Sequence, residues 1–253
     1  MWSFLLGGRL DKHSMVKNAI FSPRANVRFN PTKDLVLRAN YSAGFRAPQV
    51  FDEDLHVDNA GGDLITIEND KNLHEERSNS FSLSADWYTH FGAWQLNLTA
   101  EGFYTELRDA FSLVQSKRTD KFGNEEIVKT RTNSDGAKVM GLRLEGRLTL
   151  PKVWSLQAGL TYHKSQWNKE QKWNDDDAYA TRRMYRTSDV YGYFISTWNV
   201  TKQLDFTFTG NFTGSMLVGH EIPTEEDGKT LSKDDYLNQL SSNIKYDRVL
   251  SGE

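Results

Sequence analysis

Two short acidic runs contain the first residues in this chain that could do chemistry. Residues 52–54 read Asp-Glu-Asp and are followed by His56, and residues 175–177 are three consecutive aspartates. Carboxylate oxygens are the ligands that Ca²⁺ prefers, and a nearby imidazole suits several transition metals. Neither run has the spacing of a defined metal-binding loop such as the EF-hand. The sequence therefore predicts no resident metal.

No other part of the sequence has the pattern of a catalytic centre. The six histidines form no H-E-x-x-H pair, and the chain has no G-x-S-x-G elbow and no glycine-rich phosphate loop. The absence of cysteine excludes thiolate catalysis and cysteine-type zinc sites. A net charge of -3 argues against a nucleic-acid surface. We expect neither an enzyme nor a cofactor.

The elements that position these residues are strands in which apolar and polar side chains alternate. Residues 94–104 are apolar or small at even positions and mainly polar at odd positions, as expected for a strand with two different faces. The same split occurs in 78–87, 140–150, 154–163 and 204–213, and a weaker form occurs in 2–10, 24–30, 35–41 and 190–199. These segments predict about nine to ten strands.

Charged residues within these strands all fall on the polar face of their own strand. They are Arg38, Asp86, Glu101, Arg143, Glu145, Arg147 and Asp205. An Arg or Lys facing lipid at the bilayer midplane costs about 2–4 kcal/mol in a β-barrel, whereas a soluble sheet tolerates Lys on its outer face. The segregation favours a membrane barrel over a soluble sandwich, whose strands also alternate but are usually shorter.

Connections between the strands alternate between short and long. The short ones are 30–33, 88–93, 151–153 and 200–203, and the long ones, which we interpret as loops, are 11–23, 43–77, 111–137, 164–189 and the part after residue 214. Short turns at one rim and long loops at the other are typical of outer-membrane barrels. Several loops of this length would be unusual in a compact soluble domain.

Aromatic residues mark both ends of the strands. Near the short turns lie Phe29, Trp87, Trp94, Trp154 and Trp198, and at the far strand ends lie Tyr41, Tyr104, Tyr162 and Phe212. Such rings prefer the headgroup level of a membrane. The predicted fold is an all-β, antiparallel up-and-down transmembrane β-barrel. It is a partial barrel, because about nine strands without a closing strand would leave backbone edges unpaired in lipid.

Three motifs resemble the TonB-dependent outer-membrane receptors. Gly44, Phe45, Arg46, Ala47 and Pro48 match the family's G-F-R-A-P motif at the end of a strand. Residues 69–78 are similar to its N-P-x-L-K-P-E-x-S stretch, with Asp70 and Glu75 where the family has proline. Residues 133–145 resemble its N-x-x-G-x-x-x-x-G-x-E-x-E segment. The likeness covers residues 1–215 and implies that residues 1–253 are part of a receptor barrel, without the plug domain.

The resemblance implies a function in active transport across the outer membrane of a Gram-negative bacterium. A receptor of this family captures a scarce nutrient, such as a ferric siderophore, haem or a cobalamin, and imports it with energy from TonB. The implied partners are outer-membrane lipid, the nutrient chelate and the TonB complex, which the family contacts through an N-terminal part outside this sequence.

Loop residues that combine charge with aromatic rings are the candidate ligand-binding groups, because Arg and aromatic side chains together can hold an anionic, ring-bearing chelate. They are Arg46, Asp52, Asp54, His56, Trp167, Trp173, Asp175, Asp176, Asp177, Tyr179, Arg182 and Arg183. The alternative interpretation of any one of these residues is that it is a solvated loop residue that binds no ligand.

Two other classes of protein stay open at this point. One is a barrel for passive diffusion or lipid hydrolysis, such as a porin or an outer-membrane phospholipase. The other is a soluble all-β carbohydrate-binding or adhesion module, in which the aromatic loops would form the site. Membrane fractionation of the full-length product would distinguish a soluble module from a barrel. A plug sequence preceding the barrel would distinguish a receptor from a porin.

Overall fold

The computed structural model describes residues 1–14, 16–48, 65–119, 123, 125–172, 180–217, 225–226 and 229–230. In this part of the chain the regular structure is all β, and no helix is long and apolar enough to cross a membrane. The strands are β1 (Trp2–Asp11), β2 (Ile20–Phe29), β3 (Leu35–Arg46), β4 (Ile65–Asn69), β5 (Glu76–Phe91), β6 (Trp94–Arg108), β7 (Phe111–Thr119), β8 (Glu125–Asn133), β9 (Ala137–Leu150), β10 (Trp154–Lys172), β11 (Ala180–Arg183), β12 (Val190–Asn199), β13 (Asp205–Thr213), β14 (Glu225–Glu226) and β15 (Lys229–Thr230).

Ten of these strands form one antiparallel sheet. Its order is β1-β2-β3-β5-β6-β9-β10-β12-β13, and β11 pairs with the far end of β10. The turns 30–34, 92–93, 151–153 and 200–204 lie along one edge, which we call the short-turn rim. The long connections lie along the opposite edge, the long-loop rim. The predicted antiparallel up-and-down wall is confirmed, and within the described residues it is an open sheet with β1 and β13 at its edges.

Tight turns at the short-turn rim explain how neighbouring strands stay in register. Gly92 adopts a φ of 59° between β5 and β6, and Lys152 adopts a φ of 64° between β9 and β10. The first position suits glycine, which has no Cβ to clash in the left-handed region. These connections leave no slack between paired strands, so the alternation of side chains continues from one strand to the next.

One face of the wall is apolar and uncovered by protein. Ala100 on β6 is the Cα partner of Ala85 on β5 and of Leu144 on β9, so apolar side chains lie beside apolar side chains. Leu83 and Leu142 on this face are 65% and 63% exposed. We call it the outer face, and the opposite one the inner face.

The inner face carries hydrogen bonds that run across the strands. Asp86 is only 7% exposed and accepts hydrogen bonds from Arg38 Nη1 and from Thr99 Oγ1, the latter at 2.8 Å. Asn40 Nδ2 donates to Ser82 Oγ at 3.0 Å. These contacts join β3, β5 and β6 and satisfy polar groups that would be costly to bury unpaired. Arg38 and Asp86 thus lie on the polar face, as the sequence predicts.

Four of the connections predicted to be loops contain additional strands, so that prediction was wrong in part. In the part after residue 214, β14 and β15 pair antiparallel. Within 111–137, β7 and β8 pair antiparallel, and β4 from 43–77 pairs with β8 in parallel. Within 164–189, β10 continues to Lys172 and β11 joins it. β-branched and aromatic residues in these segments favour strands. Backbone pairing there does not require the regular alternation of apolar and polar side chains that a lipid-facing strand needs. The alternation therefore did not predict these strands.

Both rows of aromatic residues come together as predicted. At the short-turn rim, Trp154 lies 5.9 Å from Trp94 and 5.8 Å from Trp198 between ring centroids, and Trp2 stacks on Phe29 at 4.2 Å. Toward the long-loop rim, Tyr41 and Phe81 are 4.8 Å apart. The exposed apolar face therefore lies between two aromatic belts, as a bilayer-spanning wall requires.

Candidate functional site

At the long-loop rim, the last strands of the inner face carry aromatic and polar side chains side by side. Tyr191 and Tyr193 on β12 are the Cα partners of Thr213 and Asn211 on β13. Because side chains alternate along a strand, these four residues lie on one face of the sheet. His163 on β10 stands beside Tyr191, with the ring centroids 5.6 Å apart in a T-shaped arrangement.

These side chains line a cavity of about 470 Å³. The lining residues are His163, Arg186, Thr187, Ser188, Tyr191, Gly192, Tyr193, Asn211, Phe212, Thr213 and Met216. Small-molecule sites in proteins usually have volumes of about 300–1,000 Å³ and combine apolar walls with a few convergent polar groups. This cavity has a guanidinium, an imidazole, two phenols and several hydroxyl or amide groups, which suit an anionic ligand that contains rings.

Tyr193 is held from below by two neighbours on β10. Gln157 Nε2 donates a hydrogen bond to Tyr193 Oη at 3.0 Å and another to Glu145 Oε1 at 2.9 Å. Gly159 is the Cα partner of Tyr193, and a Cβ at this glycine would lie 2.5 Å from Tyr193 Cε1. The missing side chain at Gly159 therefore lets the Tyr193 ring lie flat along the inner wall beneath the cavity.

The upper wall of the cavity is formed by two segments that follow β11 and β13. Arg186 N donates to Leu217 O at 2.7 Å, and Ser188 forms an isolated antiparallel bridge with Met216. Arg186 has a φ of 55°, in the left-handed region. Ser188 is buried, and its hydroxyl donates to Val190 O at 2.8 Å. These contacts join the segment that carries Arg186 to the strands below it.

Three of the candidate ligand groups lie together where β11 joins β10, and none of them is among the residues that line the cavity. Arg182 Nε donates a hydrogen bond to Trp167 O at 3.1 Å, and Arg183 Nη2 forms a salt bridge with Asp189 at 3.1 Å. Both arginines are exposed, and Trp167 is half-buried. Two guanidinium groups and an indole thus stand at the same corner of the long-loop rim.

Arg46 lies in a different cluster, at the ends of β3 and β5. Its Nη1 is 3.8 Å from Glu76 Oε2, and its guanidinium carbon is 5.5 Å from the centroid of the Phe111 ring. Arg131 on β8 is buried nearby; burial lowers the pKa of its guanidinium, and the positive charge of Arg46 lowers this pKa further. Glu76 also accepts a hydrogen bond from Phe111 N. The cluster joins the β7–β8 hairpin to the wall.

Comparison of the chain with protein families gives a match over nearly its whole length. The family model described as "TonB dependent receptor-like, beta-barrel" matches residues 1–243. The chain belongs to this family. A comparison with curated protein sequences finds no match.

Solved structures of siderophore receptors have the same fold as this TonB-dependent receptor barrel. The receptor PirA from Pseudomonas aeruginosa is 19% identical with a TM-score of 0.61, and the match covers 84% of this chain and 37% of that one. PirA from Acinetobacter baumannii is 17% identical with a TM-score of 0.59, covering 82% and 30%. Fiu from E. coli K12 is 14% identical with a TM-score of 0.52, covering 79% and 25%. The chain thus spans well under half of these receptors.

Family membership gives the wall its orientation. TonB-dependent receptor barrels lie in the outer membrane of Gram-negative bacteria, so the exposed outer face contacts lipid and the inner face lines the lumen. Outer-membrane barrels have short periplasmic turns and long extracellular loops. The cavity at His163 and Tyr193 therefore opens into the lumen close to the extracellular side of the TonB-dependent receptor.

The G-F-R-A-P motif of this receptor barrel lies at the end of β3, where β3 pairs with β5. Gly44 is the Cα partner of Ser78, and a Cβ at Gly44 would lie 2.9 Å from Ser78 Oγ. Pro48 is fully buried. Arg46 forms a salt bridge with Glu76 on β5, and its guanidinium group packs over the Phe111 ring. The motif thus links the end of β3 to β5 and to the first strand of the β7–β8 hairpin.

Sequence interpretation found some of the residues at this receptor's lumenal rim and missed others. Of the candidates, Trp167, Arg182 and Arg183 lie where β11 joins β10, outside the cavity lining, and Arg46 belongs to the separate rim cluster. Asp52, Asp54, His56, Trp173, Asp175, Asp176, Asp177 and Tyr179 lie outside the described residues. His163, Arg186, Tyr191 and Tyr193 were not among the candidates; the available signal was two tyrosines, two residues apart, on the polar face of a strand.

Proposed function

We propose that this protein is an uptake receptor that binds an anionic, ring-bearing nutrient chelate at its lumenal rim and imports it with energy supplied through TonB. The observation that carries the proposal is the cavity lined by His163, Arg186, Tyr191 and Tyr193. Its volume suits a small molecule rather than a macromolecule.

The chemistry of the cavity favours reversible capture. The guanidinium group of Arg186 in the lining can form charge-assisted hydrogen bonds with an anion. The phenols of Tyr191 and Tyr193 offer hydrogen-bond donors and flat surfaces for a ring, and an aromatic surface attracts a ligand by stacking. Tight binding without a covalent step is what a receptor needs for a scarce nutrient, because the ligand must leave again on the other side.

The similar structures are siderophore receptors, which supports a ferric siderophore as the chelate. PirA from two organisms is described as a siderophore receptor, and PfeA from Pseudomonas aeruginosa, 18% identical with a TM-score of 0.60, was solved with enterobactin bound. Siderophores are anionic when they release their protons to iron, and many contain rings. We therefore place a ferric siderophore ahead of haem or a cobalamin as the cargo.

The proposal is tested by ligand binding and uptake with the full-length receptor in outer membranes. Tyr193→Phe removes the hydroxyl that accepts a hydrogen bond from Gln157, and Arg186→Gln removes a cation from the cavity lining. We expect each to weaken binding of a ferric siderophore about fivefold to tenfold, since each hydrogen bond contributes about 1–1.5 kcal/mol. Phe194→Leu, on the outer face beside Tyr193, is the matched control and should leave affinity unchanged.

Energy dependence separates the receptor from a porin. Uptake of the radiolabelled chelate should stop in cells that lack TonB, while surface binding continues. Continued TonB-independent uptake, growing in proportion to ligand concentration, would identify a diffusion channel. Recovery of the full-length protein in the soluble periplasmic fraction would reject both barrel functions.

A further inference from the structure

Hydrogen bonds on the inner face join three side chains from three neighbouring strands. Glu145 on β9 and Tyr193 on β12 are the Cα partners of the same residue, Gly159 on β10. Gln157, two positions away on β10, bridges them, because its Nε2 donates to Glu145 Oε1 at 2.9 Å and to Tyr193 Oη at 3.0 Å. All three side chains are half-buried. We call Glu145, Gln157 and Tyr193 the polar relay.

The carboxylate at one end fixes the direction of both bonds in the polar relay. An ionised carboxylate has acceptors and no donor, so the side of the Gln157 amide that meets Glu145 must be the NH₂ group. A flipped amide would place its carbonyl oxygen against the carboxylate, acceptor against acceptor. An amide nitrogen carries two hydrogens, and the bonds to Glu145 and Tyr193 use both of them. Tyr193 Oη is therefore the acceptor in its bond with Gln157.

This acceptor role leaves the hydrogen of the Tyr193 hydroxyl for another partner. A phenol has one O–H donor, which cannot point at a group that is itself donating. In the described part of the chain, Gln157 is the one residue that is hydrogen-bonded to Tyr193 Oη. Because the inner face opens on the lumen, the acceptor for this hydrogen is water or a ligand there. The polar relay thus makes Tyr193 a donor toward the lumen.

Two other hydroxyl groups of the cavity lining already use their hydrogens within the protein. Thr187 Oγ1 donates to Tyr185 O at 3.2 Å, and Ser188 Oγ donates to Val190 O at 2.8 Å. Among the described residues of the lining there is no Asp or Glu that would compete for a donor. Tyr193 therefore offers a ligand the O–H donor that these two hydroxyl groups do not.

We propose that the polar relay makes Tyr193 a fixed donor that selects the iron-loaded form of the chelate over the iron-free form. The inference rests on the proposed function, because it concerns which form of the cargo the receptor retains. A catechol releases its two hydroxyl protons when both oxygens bind Fe³⁺, so the loaded chelate offers anionic oxygens that only accept hydrogen bonds. The iron-free chelate keeps these protons, and its hydroxyl oxygens are neutral. A hydrogen bond to an ionised acceptor is about twice as strong as one between neutral groups.

The test compares ferric enterobactin with iron-free enterobactin, a catechol chelator that was found bound to PfeA. Isothermal titration calorimetry measures the affinity of the full-length receptor in detergent for each form. Tyr193→Phe should weaken binding of the ferric form about tenfold and of the iron-free form about twofold, since a bond to a charged group contributes more. Equal weakening of the two forms would overturn the selection. Binding of neither form by the unaltered receptor would reject the proposed function, and the selection with it.

Glu145→Gln tests the polar relay at its carboxylate end. Without the carboxylate, the Gln157 amide is free to flip and accept the Tyr193 hydrogen, which removes the donor. We expect ferric enterobactin to bind about threefold more weakly, although the loss of a negative charge by itself strengthens the binding of an anion. Affinity for the iron-free form should change by less than about twofold, which shows that the variant is folded.

Glu101→Gln is the matched control, because it makes the same chemical change on the same face. Glu101 lies 3.6 Å from Arg143 Nη1 and is not part of the polar relay. This variant should not weaken the binding of either form. Unchanged or tighter binding of ferric enterobactin by Glu145→Gln, or equal weakening by Glu101→Gln, would contradict the proposal.

Discussion

Leu144 and Glu145 are neighbours on β9, yet Leu144 faces lipid and Glu145 faces the lumen. Leu144 is 57% exposed on the outer face, among other apolar side chains. Glu145 is on the inner face, where its carboxylate accepts a hydrogen bond from Gln157 at 2.9 Å. Exposure alone does not distinguish the faces of such a wall, since both are open; the kind of side chain and its bonding do. A shift of one residue in register would exchange the two environments along the whole strand.

The two faces also differ in how they hold the strands together. On the inner face, side chains join neighbouring strands by hydrogen bonds, as Ser80 does with Thr105 at 3.0 Å. On the outer face, aromatic rings contact one another, as in the Trp94, Trp154 and Trp198 row, and Trp154 Nε1 also donates a hydrogen bond to Ser196 Oγ at 2.9 Å. The inner face therefore gives specificity to strand pairing, whereas the outer face gains its stability from lipid.

The largest effect is expected from a charge placed on the outer face. Leu144→Arg puts a guanidinium near the middle of the apolar band and should lower the free energy of unfolding by about 2–4 kcal/mol. The measurement is urea unfolding of the refolded full-length barrel in phosphatidylcholine vesicles. Gln157→Arg, on the inner face beside Glu145, is the control and should cost less than about 1 kcal/mol. Equal losses would mean that both faces meet the same solvent.

A smaller loss is expected from breaking the inner ladder. Asp86→Ala removes the acceptor of Arg38 and of Thr99 and leaves a partly buried guanidinium without its counterion. We expect about 2 kcal/mol of destabilisation in the same unfolding assay, less than for a fully buried pair because Arg38 is 33% exposed. Arg38→Ala combined with Asp86→Ala should recover part of it. If the double variant were no more stable than the single one, the two side chains would not be coupled.

The smallest effect is expected where the inner face meets the cavity. Gly159→Ala introduces a Cβ that pushes the Tyr193 ring toward the cavity and should weaken ligand binding roughly tenfold, about 1.4 kcal/mol. Gly146→Ala, whose Cβ would meet Leu98 Cδ2 at 3.2 Å on the outer face, is the control. Affinity is measured by quenching of tryptophan fluorescence in the purified receptor. A similar loss from both variants would assign the effect to the backbone rather than to Tyr193.

How much could be predicted from the sequence follows from the same comparison. A two-residue period fixes the face of each side chain without any tertiary information, so the wall, the inward charges and the aromatic belts were predictable. The parallel pairing of β4 with β8 was not, because its partners are far apart in the chain and lack the alternating pattern.

The cavity could not be predicted for a related reason. Its residues come from β10, β12, β13 and the segment around Arg186, and only the register of Tyr191 with Thr213 and the contact of Arg186 with Leu217 bring them together. Composition favoured the charged loops instead. Trp167 and Arg182 were chosen as candidates because they combine charge with a ring, whereas the tyrosines within a strand resembled ordinary strand formers.

The most direct test of the central claim is a cysteine scan along β9, since this chain contains no cysteine of its own. Each residue from 140 to 149 is replaced in the full-length receptor in bilayers, spin-labelled, and measured for collision with oxygen and with a water-soluble nickel chelate. We predict that collision with oxygen varies with a two-residue period along β9. Labels at Leu142, Leu144 and Leu148 should collide strongly with oxygen, and labels at Arg143, Glu145 and Arg147 should collide with it less because they are shielded from lipid. Equal access of both reagents along the strand would contradict the assignment of these faces to lipid and lumen.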